Sequence, residues 1–317
     1  MPPDPLFSLV LCSLNRASLL DDSLGTIARL DYPVDRHEVI VVDNGSTDDT
    51  ARVIGAHTAR CAHFRSLLEP RPGHTRARNT GIAASRGRIL VFIDDDVHVP
   101  ADFLRALEAA YAERPDAAGF GGRIVLEWDA GRPPWLGKVE EAYWVALDLG
   151  PHIVPFAFPA APFGANMSFR REWLDRVGGF CEDLGYSAAH GRLSARDDME
   201  LGYRVMKAGG HLYYAPAAWL THRITADRST EQYFLKKAYG QGYADYQAFG
   251  VLSSWSTPRK AMRVGLHAAA WVRASLFRAL AAPMGKQSRA YMLYRCKQRY
   301  NAGYLRAIAD DLQRGGG

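Results

Sequence analysis

The stretch ILVFIDDD, Ile89–Asp96, decides the fold. Five consecutive apolar residues read as a strand buried on both faces, the kind found in parallel sheets covered by helices. Three carboxylates follow with no spacer. Adjacent acids repel one another and are costly unless water or a cation neutralises them. One reading is a solvated turn. The other is a cation site, because an apolar strand holds these acids at the rim of a sheet. Hard oxygen ligands there suit Mg²⁺ or Mn²⁺ shared with a substrate diphosphate.

Outward from this stretch, strand and helix alternate. Phe7–Ser13 reads as a buried strand. Ala17–Leu30 has helical spacing, with Leu19, Leu20, Leu24 and Ile27 on one side, and Asp31-Tyr32-Pro33 ends it. His37–Val42 is a β-branched strand that stops at Asp43. The run Gly45-Ser46-Thr47-Asp48-Asp49 then caps a helix reaching about Ala59. Ala77–Ala84 reads as a helix, and Pro100 opens another through about Glu113. Arg171–Val177 and Asp197–Ala208 are further helices, and Leu212–Ala215 is a short strand. Glu127–Pro162 is irregular, aromatic and rich in proline, and reads as an inserted active-site loop. Past Ser229 the chain is largely helical.

The expected fold class is α/β, a Rossmann-like doubly wound and mainly parallel sheet with a helical C-terminal extension. The expected division is a catalytic domain at 1–228 and a basic helical extension at 229–317. In such sheets ligands sit beyond the carboxyl ends of the strands. Asp43 and Asp94-Asp95-Asp96 both lie there.

Composition sets outer bounds. At 48% hydrophobic and 23% charged, no part is compositionally disordered. Cys12, Cys61, Cys181 and Cys296 have no metal-ligand spacing and read as free thiols in a reducing compartment. The apolar run Leu6–Leu14 lacks a basic flank and a cleavage site, and no run of about 18 apolar residues occurs, so neither a secretory signal nor a membrane span is expected. The expected location is cytoplasmic, or peripheral on the inner face of the cell membrane. The net charge of +5 is uneven: from Pro258 onward there are roughly 12 Lys/Arg against Asp310 and Asp311. This asymmetry suggests an anionic surface as partner.

Several residues at element ends carry competing readings. Asp43 either belongs to a capping turn or accepts a hydrogen bond from a base or ribose. Asp197-Asp198-Met199-Glu200 opens a helix, where acids suit the macrodipole, yet a carboxylate there also suits a general base. His222 is either structural or a metal ligand. Trp128, Trp135, Tyr143 and Trp144 either line an acceptor site or pack the inserted loop. Arg223 and Arg228 either reach a diphosphate or are solvated.

Taken in order, these stretches resemble glycosyltransferase family 2. The matching segments are SLNR at Ser13–Arg16, VVDNGSTDDT at Val41–Thr50, RARNTGI at Arg76–Ile82 and ILVFIDDD at Ile89–Asp96. GANMSFRRE at Gly164–Glu172, GGF at Gly178–Phe180, DDMEL at Asp197–Leu201 and the Pro216–His222 segment PAAWLTH complete them. The resemblance spans roughly residues 6 to 225. It implies the GT-A fold and an inverting, metal-dependent transfer of one sugar from a nucleotide-sugar to an acceptor hydroxyl, commonly in bacterial surface-polysaccharide assembly.

By position, the resemblance implies that Asp43 contacts the nucleotide base with Arg78 near it. Ser13, Asn15, Arg16, Asp95 and Asn166 fall in the nucleotide-sugar-binding segments. Asp96 would bind Mg²⁺ or Mn²⁺, Asp94 would hold the ribose or a metal-bound water, and His222 would reach the metal or diphosphate. Asp198 matches the catalytic base, although Asp197 stands where the family usually has Glu, which leaves both as candidates. The QxxRW motif of processive synthases is absent, so single-sugar transfer to a glycan or lipid-linked acceptor is expected.

Two rival readings are weaker. A sugar-nucleotide pyrophosphorylase would need a glycine-rich loop where SLNRAS stands. A non-catalytic nucleotide-sugar binder would not need acids at every site. No nucleic-acid-binding module accompanies the basic tail, so nucleic acid is not an expected partner. In that tail Arg259, Lys260, Arg263, His267 and Arg278 share one helix face, and Met262, Ala269, Val272, Leu276 and Leu280 lie roughly opposite. This amphipathic helix with a basic side is expected either to lie on an anionic membrane or to be a surface helix packed on the catalytic domain.

Overall fold

The structure is a computed structural model that describes residues 5–182, 184, 196–253 and 256–314. It divides into two compact units. The first comprises Met1–Glu127, Val145–Asp183 and Asp197–Arg223, and the second Trp128–Trp144, Leu184–Arg196 and Ile224–Gly317.

The first unit is built on one sheet. Its strands are β1 (Phe7–Ser13), β2 (His37–Asp43), β3 (Phe64–Leu68), β4 (Ile89–Ile93), β5 (Val97–His98), β6 (Ala117–Trp128), β7 (Val154–Pro155), β8 (Asn166–Arg170) and β9 (His211–Ile224). The helices are α1 (Ala17–Ile27), α2 (Thr50–Arg60), α3 (His74–Ala84), α4 (Phe103–Glu113), α5 (Arg171–Val177) and α6 (Asp197–Lys207). The strand order is β3-β2-β1-β4-β8-β6-β9-β5, with β7 beside β9. β3, β2, β1 and β4 run parallel. β8 is antiparallel to β4 and β6, and β5 and β7 are antiparallel to β9. The sheet is therefore parallel in one half and antiparallel in the other. The antiparallel half was harder to foresee: β6 opens with Ala117-Ala118-Gly119-Phe120-Gly121-Gly122, which lacks the β-branched residues that mark strands.

The parallel half sorts its side chains by the two-residue pleat. Phe7, Leu9 and Leu11 of β1 join Val39, Val41, Val91 and the apolar side of α1 in one core layer. Val10 and Cys12 turn the other way, to Ile40, Val42, Leu90, Phe92 and residues of α3 and α6. Both faces are covered, which is why the central residues of β1, β2 and β4 are apolar, while Ser13, Asp43 and the acids after β4 stand at the rim.

The second unit is mainly helical, with α7 (Glu231–Ser253), α8 (Thr257–Ala281) and α9 (Arg289–Arg314). α7 and α9 approach to backbone contact. A Cβ on Gly242 would sit 1.9 Å from the Tyr300 carbonyl oxygen, and one on Gly303 would sit 1.9 Å from that of Tyr239. Tyr243, Tyr246, Tyr304, Ala307 and Ile308 form the core beside this crossing. The Trp128–Trp144 part of the inserted aromatic segment belongs here. Phe234 of α7 has Trp135 at 5.2 Å, Tyr143 at 5.3 Å and Trp144 at 5.5 Å between ring centroids, and Trp128 lies 5.2 Å from Trp144. Trp135 and Trp144 are buried, so the packing reading holds for them.

Most of the basic face of α8 turns inward, with Arg259 left exposed. Lys260 pairs with Asp311 at 2.6 Å, Arg278 donates to Gln298 at 2.8 Å, and His267 meets Asn301 at 2.7 Å and stacks on Tyr304. All three partners lie on α9. Charged heads there find polar partners at no cost in exposed charge, and the apolar side of α8 is left outward.

Candidate active site

The rim at the carboxyl ends of β1, β2 and β4 carries three loops that lock together. Asn15 adopts a left-handed φ of 55°, a conformation that asparagine tolerates better than most residues. Its side-chain oxygen accepts from Thr47 N at 2.7 Å, Thr47 Oγ1 at 3.3 Å and Asp48 N at 3.3 Å. Its own N–H donates to Ser46 Oγ at 3.0 Å. Asp43 is buried and accepts from Ser46 N at 2.8 Å. Asn44 donates to the carbonyls of Glu69 and Arg71 and accepts from Gly73 N at 2.9 Å, so the end of β2 also sets the start of α3.

The acidic triplet points three ways. Asp95 is buried and turned inward, accepting from Ser13 Oγ at 2.6 Å and Arg16 at 2.5 Å. Burial raises its carboxyl to about 6, against the pull of Arg16. Arg16 also reaches Asp96 at 2.6 Å. Burial opposes the Arg16 charge, but Asp95 and Asp96 outweigh it and hold the guanidinium charged.

Asp94 and Asp96 turn towards His222. In the ladder between β5 and β9, Val97 pairs with His222, and Arg223 N donates to Asp96 O at 2.8 Å. That register sets His222 Nε2 3.0 Å from Asp96 Oδ1. One ligand atom each from Asp94, Asp96 and His222 lies within 4.8 Å of the others. Two hard carboxylate oxygens and one imidazole nitrogen suit a cation such as Mn²⁺ or Mg²⁺.

A buried arginine ties this cluster to α6. Arg78 of α3 donates to Asp94 at 3.2 Å, to Asp197 at 2.8 Å and to the Gly164 carbonyl at 3.1 Å. Its guanidinium also lies 5.1 Å from the Phe180 ring. Burial opposes its charge, yet Asp197 and Asp94 keep it raised. A side chain at 164 has no room, since a Cβ there would fall 2.5 Å from Arg78 Nη2. Gly164 N in turn donates to Asp198 Oδ2 at 2.9 Å. The path Asp94–Arg78–Gly164–Asp198 is continuous. Asp197 is buried in its ion pair, while Asp198 is partly exposed.

His74, absent from the sequence-based candidates, belongs to this cluster. It opens α3 one turn before Arg78. Burial pushes its imidazole down to about 3, helped by Arg78 and Arg16 and opposed by Asp94 and Asp198. It is a neutral ring among charges. The only signal in the sequence is its place just ahead of Arg76-Ala77-Arg78-Asn79.

Other candidates stand apart. Asn166 is buried and donates to the carbonyls of Arg123 at 3.2 Å and Ala218 at 2.9 Å, which ties β8 to β6 beside it and to β9 beyond. Arg223 pairs with Asp22 at 2.7 Å, and Arg228 lies against Tyr233. Cys12 is buried, and burial raises its thiol to about 12, so it is inert.

Comparisons with known proteins place the chain among glycosyltransferases. A validoxylamine A glucosyltransferase of Streptomyces hygroscopicus subsp. jinggangensis (strain 5008) is 29% identical over 242 residues, 68% of this chain and 54% of its own. A glucosyl-dolichyl phosphate glucuronosyltransferase of Haloferax volcanii is 24% identical over 243 residues, 75% of each chain. The chain thus spans about half the length of the first relative and three quarters of the second. Among solved structures, a mannosyltransferase from Pyrobaculum calidifontis, in complex with GDP-Man and Mn²⁺, shares the fold with a TM-score of 0.64. It is 22% identical and covers 97% of this chain and 88% of its own. The fold is therefore GT-A with a helical C-terminal region. The model of the family described as Glycosyl transferase family 2 matches residues 8–178, from β1 through both acidic strand ends to the close of α5, and on that match the chain belongs to glycosyltransferase family 2.

Proposed function

We propose that this chain transfers a single sugar from a nucleoside-diphosphate sugar to an acceptor hydroxyl, with inversion and with help from a divalent cation. The observation that carries this reading is the continuous path from the Asp94, Asp96 and His222 cluster through Arg78 and Gly164 to Asp198. It joins a place for the diphosphate to a place for a base.

In this reading Asp43 faces the nucleotide base, and Ser13 and Asn15 hold the loop beneath it. Asp94, Asp96 and His222 would hold Mg²⁺ or Mn²⁺, which when bound offsets the charge developing on the departing diphosphate. Arg16 and Arg78 add fixed positive charge, already oriented by Asp95 and Asp197. Asp198 accepts the acceptor hydroxyl's proton. That oxygen bonds to the anomeric carbon as the bond from that carbon to the diphosphate oxygen breaks. Asp197 is buried in its pair with Arg78 and Asp198 is partly exposed, which favours Asp198 as the base.

The acceptor we propose is a glycan or lipid-linked alcohol, at the inner face of a bacterial membrane during surface-polysaccharide assembly. Among the described residues no helix is long and apolar enough to cross a membrane. One structural neighbour was solved with GDP-Man and Mn²⁺, which makes GDP-sugars the first donors to test. A thermal-shift screen of UDP-, GDP-, dTDP- and CMP-sugars, with and without Mn²⁺, tests the reading. A donor at 100-fold over its Kd adds about 2.7 kcal/mol of stability. A shift from one base, lost without the metal, is the expected result. No shift from any donor with Mn²⁺ present would sink the proposal.

A further inference from the structure

The outward face of α8 is apolar. Met262, Leu266, Val272, Leu276 and Leu280 recur at helical spacing, and Met284 follows. All are exposed, with Leu276 at 63%, Leu280 at 74% and Met284 at 68%. The polar side of the same helix is seated on α9 through Lys260, His267 and Arg278. This inverts the usual arrangement, in which the apolar stripe of a surface helix faces the core. A contiguous exposed apolar patch of this kind marks an interaction surface.

The charge beside this patch has one sign. No Asp or Glu occurs from Pro258 to Ala309, while Arg259, Arg273 and Lys286 are exposed. A second copy packed face to face would set these bases against their own counterparts, with no acid on the face to meet them. Phospholipid headgroups would meet them with phosphates while the acyl boundary takes the leucines.

We propose that α8 lies flat on an anionic bilayer through its apolar face, with Arg259, Arg273 and Lys286 at the headgroup level. The contact is made by the apolar side; the basic side stays on α9. The proposal concerns the helical unit alone and does not depend on the donor or on the reaction.

The test is sedimentation of the full chain with vesicles of phosphatidylcholine, with and without phosphatidylglycerol, at low and high salt. The chain should sediment with the anionic vesicles, and less so with neutral ones or in high salt. The double variant Leu276→Asp, Leu280→Asp should lower the partition coefficient by about tenfold for each leucine. Its melting temperature should stay unchanged, because both side chains are exposed. Arg273→Gln with Lys286→Gln should remove the preference for anionic vesicles. Wild-type protein left in the supernatant with both vesicle types would overturn the proposal, as would a double variant that sediments like wild type. So would a lipid-free wild-type dimer, seen by sedimentation velocity, that the double variant turns into monomer, since the occupant would then be a second copy.

Discussion

Arg78 and Asp197 meet at 2.8 Å in a buried ion pair between α3 and the first turn of α6. Two adjacent aspartates are thereby given different surroundings. Asp197 neutralises a cation that could not be buried alone, and its neighbour Asp198 faces the Gly164 loop.

The two aspartates should therefore fail differently when replaced. Asp198→Asn is expected to lower kcat by about 10²–10⁴-fold with donor binding retained. Asp197→Asn is expected to cost on the order of 2–3 kcal/mol of stability, because Arg78 keeps Asp94 but loses its buried partner. Steady-state kinetics and thermal melting on both variants separate these outcomes. Near-normal turnover in Asp198→Asn would end its candidacy as the base.

The cluster of Asp94, Asp96 and His222 predicts a metal-linked donor site. Asp96→Ala and His222→Ala should each weaken Mn²⁺ affinity by at least about tenfold, and donor affinity with it. Calorimetric titration of Mn²⁺ into each variant checks this without reference to turnover. Unchanged Mn²⁺ binding in both would place the ion elsewhere.

Gly242 and Gly303 mark where α7 and α9 touch. Alanine at either position puts a methyl 1.9 Å from a carbonyl oxygen of the opposite helix, so the helices must separate. The expected loss is about 1–3 kcal/mol. Urea unfolding of Gly242→Ala and Gly303→Ala would show it as a lower midpoint with an unchanged slope.

Two histidines at the start of β2 and before β3 predict acid sensitivity. His37 and His63 lie 4.6 Å apart between ring centroids. Burial, and for His63 also the neighbouring His37, lowers both; His63 falls from 6.5 to about 4. Between those values the unfolded chain takes up a proton that the folded chain refuses. Stability should therefore fall as pH drops from 6.5 to about 4, and this group should cost nothing further below that. The variant His63→Gln should show a shallower fall than wild type over this window. Parallel curves would assign the acid sensitivity to other groups.

Much of the first unit was legible because its signals are local. β4 is an uninterrupted apolar run, β1 and β2 carry apolar runs at Leu9–Cys12 and Val39–Val42, and each strand leads into the polar residues that form the rim. α5 spans Arg171–Val177, as its spacing predicts. β6 and β8 were not legible: one is broken by glycines, and the other is only five residues long, with two apolar residues among three polar ones. Which face of α8 points outward was left open for a different reason. Its two faces are plain in the sequence, but which one meets α9 depends on Asp311, Asn301 and Gln298, which lie 20 or more residues further on.

The sequence by itself determined the alternating α/β order, the strand ends that carry Asp43 and Asp94–Asp96, and the family. These depend on side-chain patterns read over a few residues at a time. Only the tertiary structure decided which acids do what. Asp95 turns in to Ser13 and Arg16 while its neighbours turn out to His222. Asp197 is buried against Arg78, while Asp198 is partly exposed and accepts from the Gly164 and Met199 amides. His74 becomes a neutral ring among charges. Each outcome depends on partners tens to more than a hundred residues away, and a carboxylate's role follows from the charges and donors around it, not from its place in a motif.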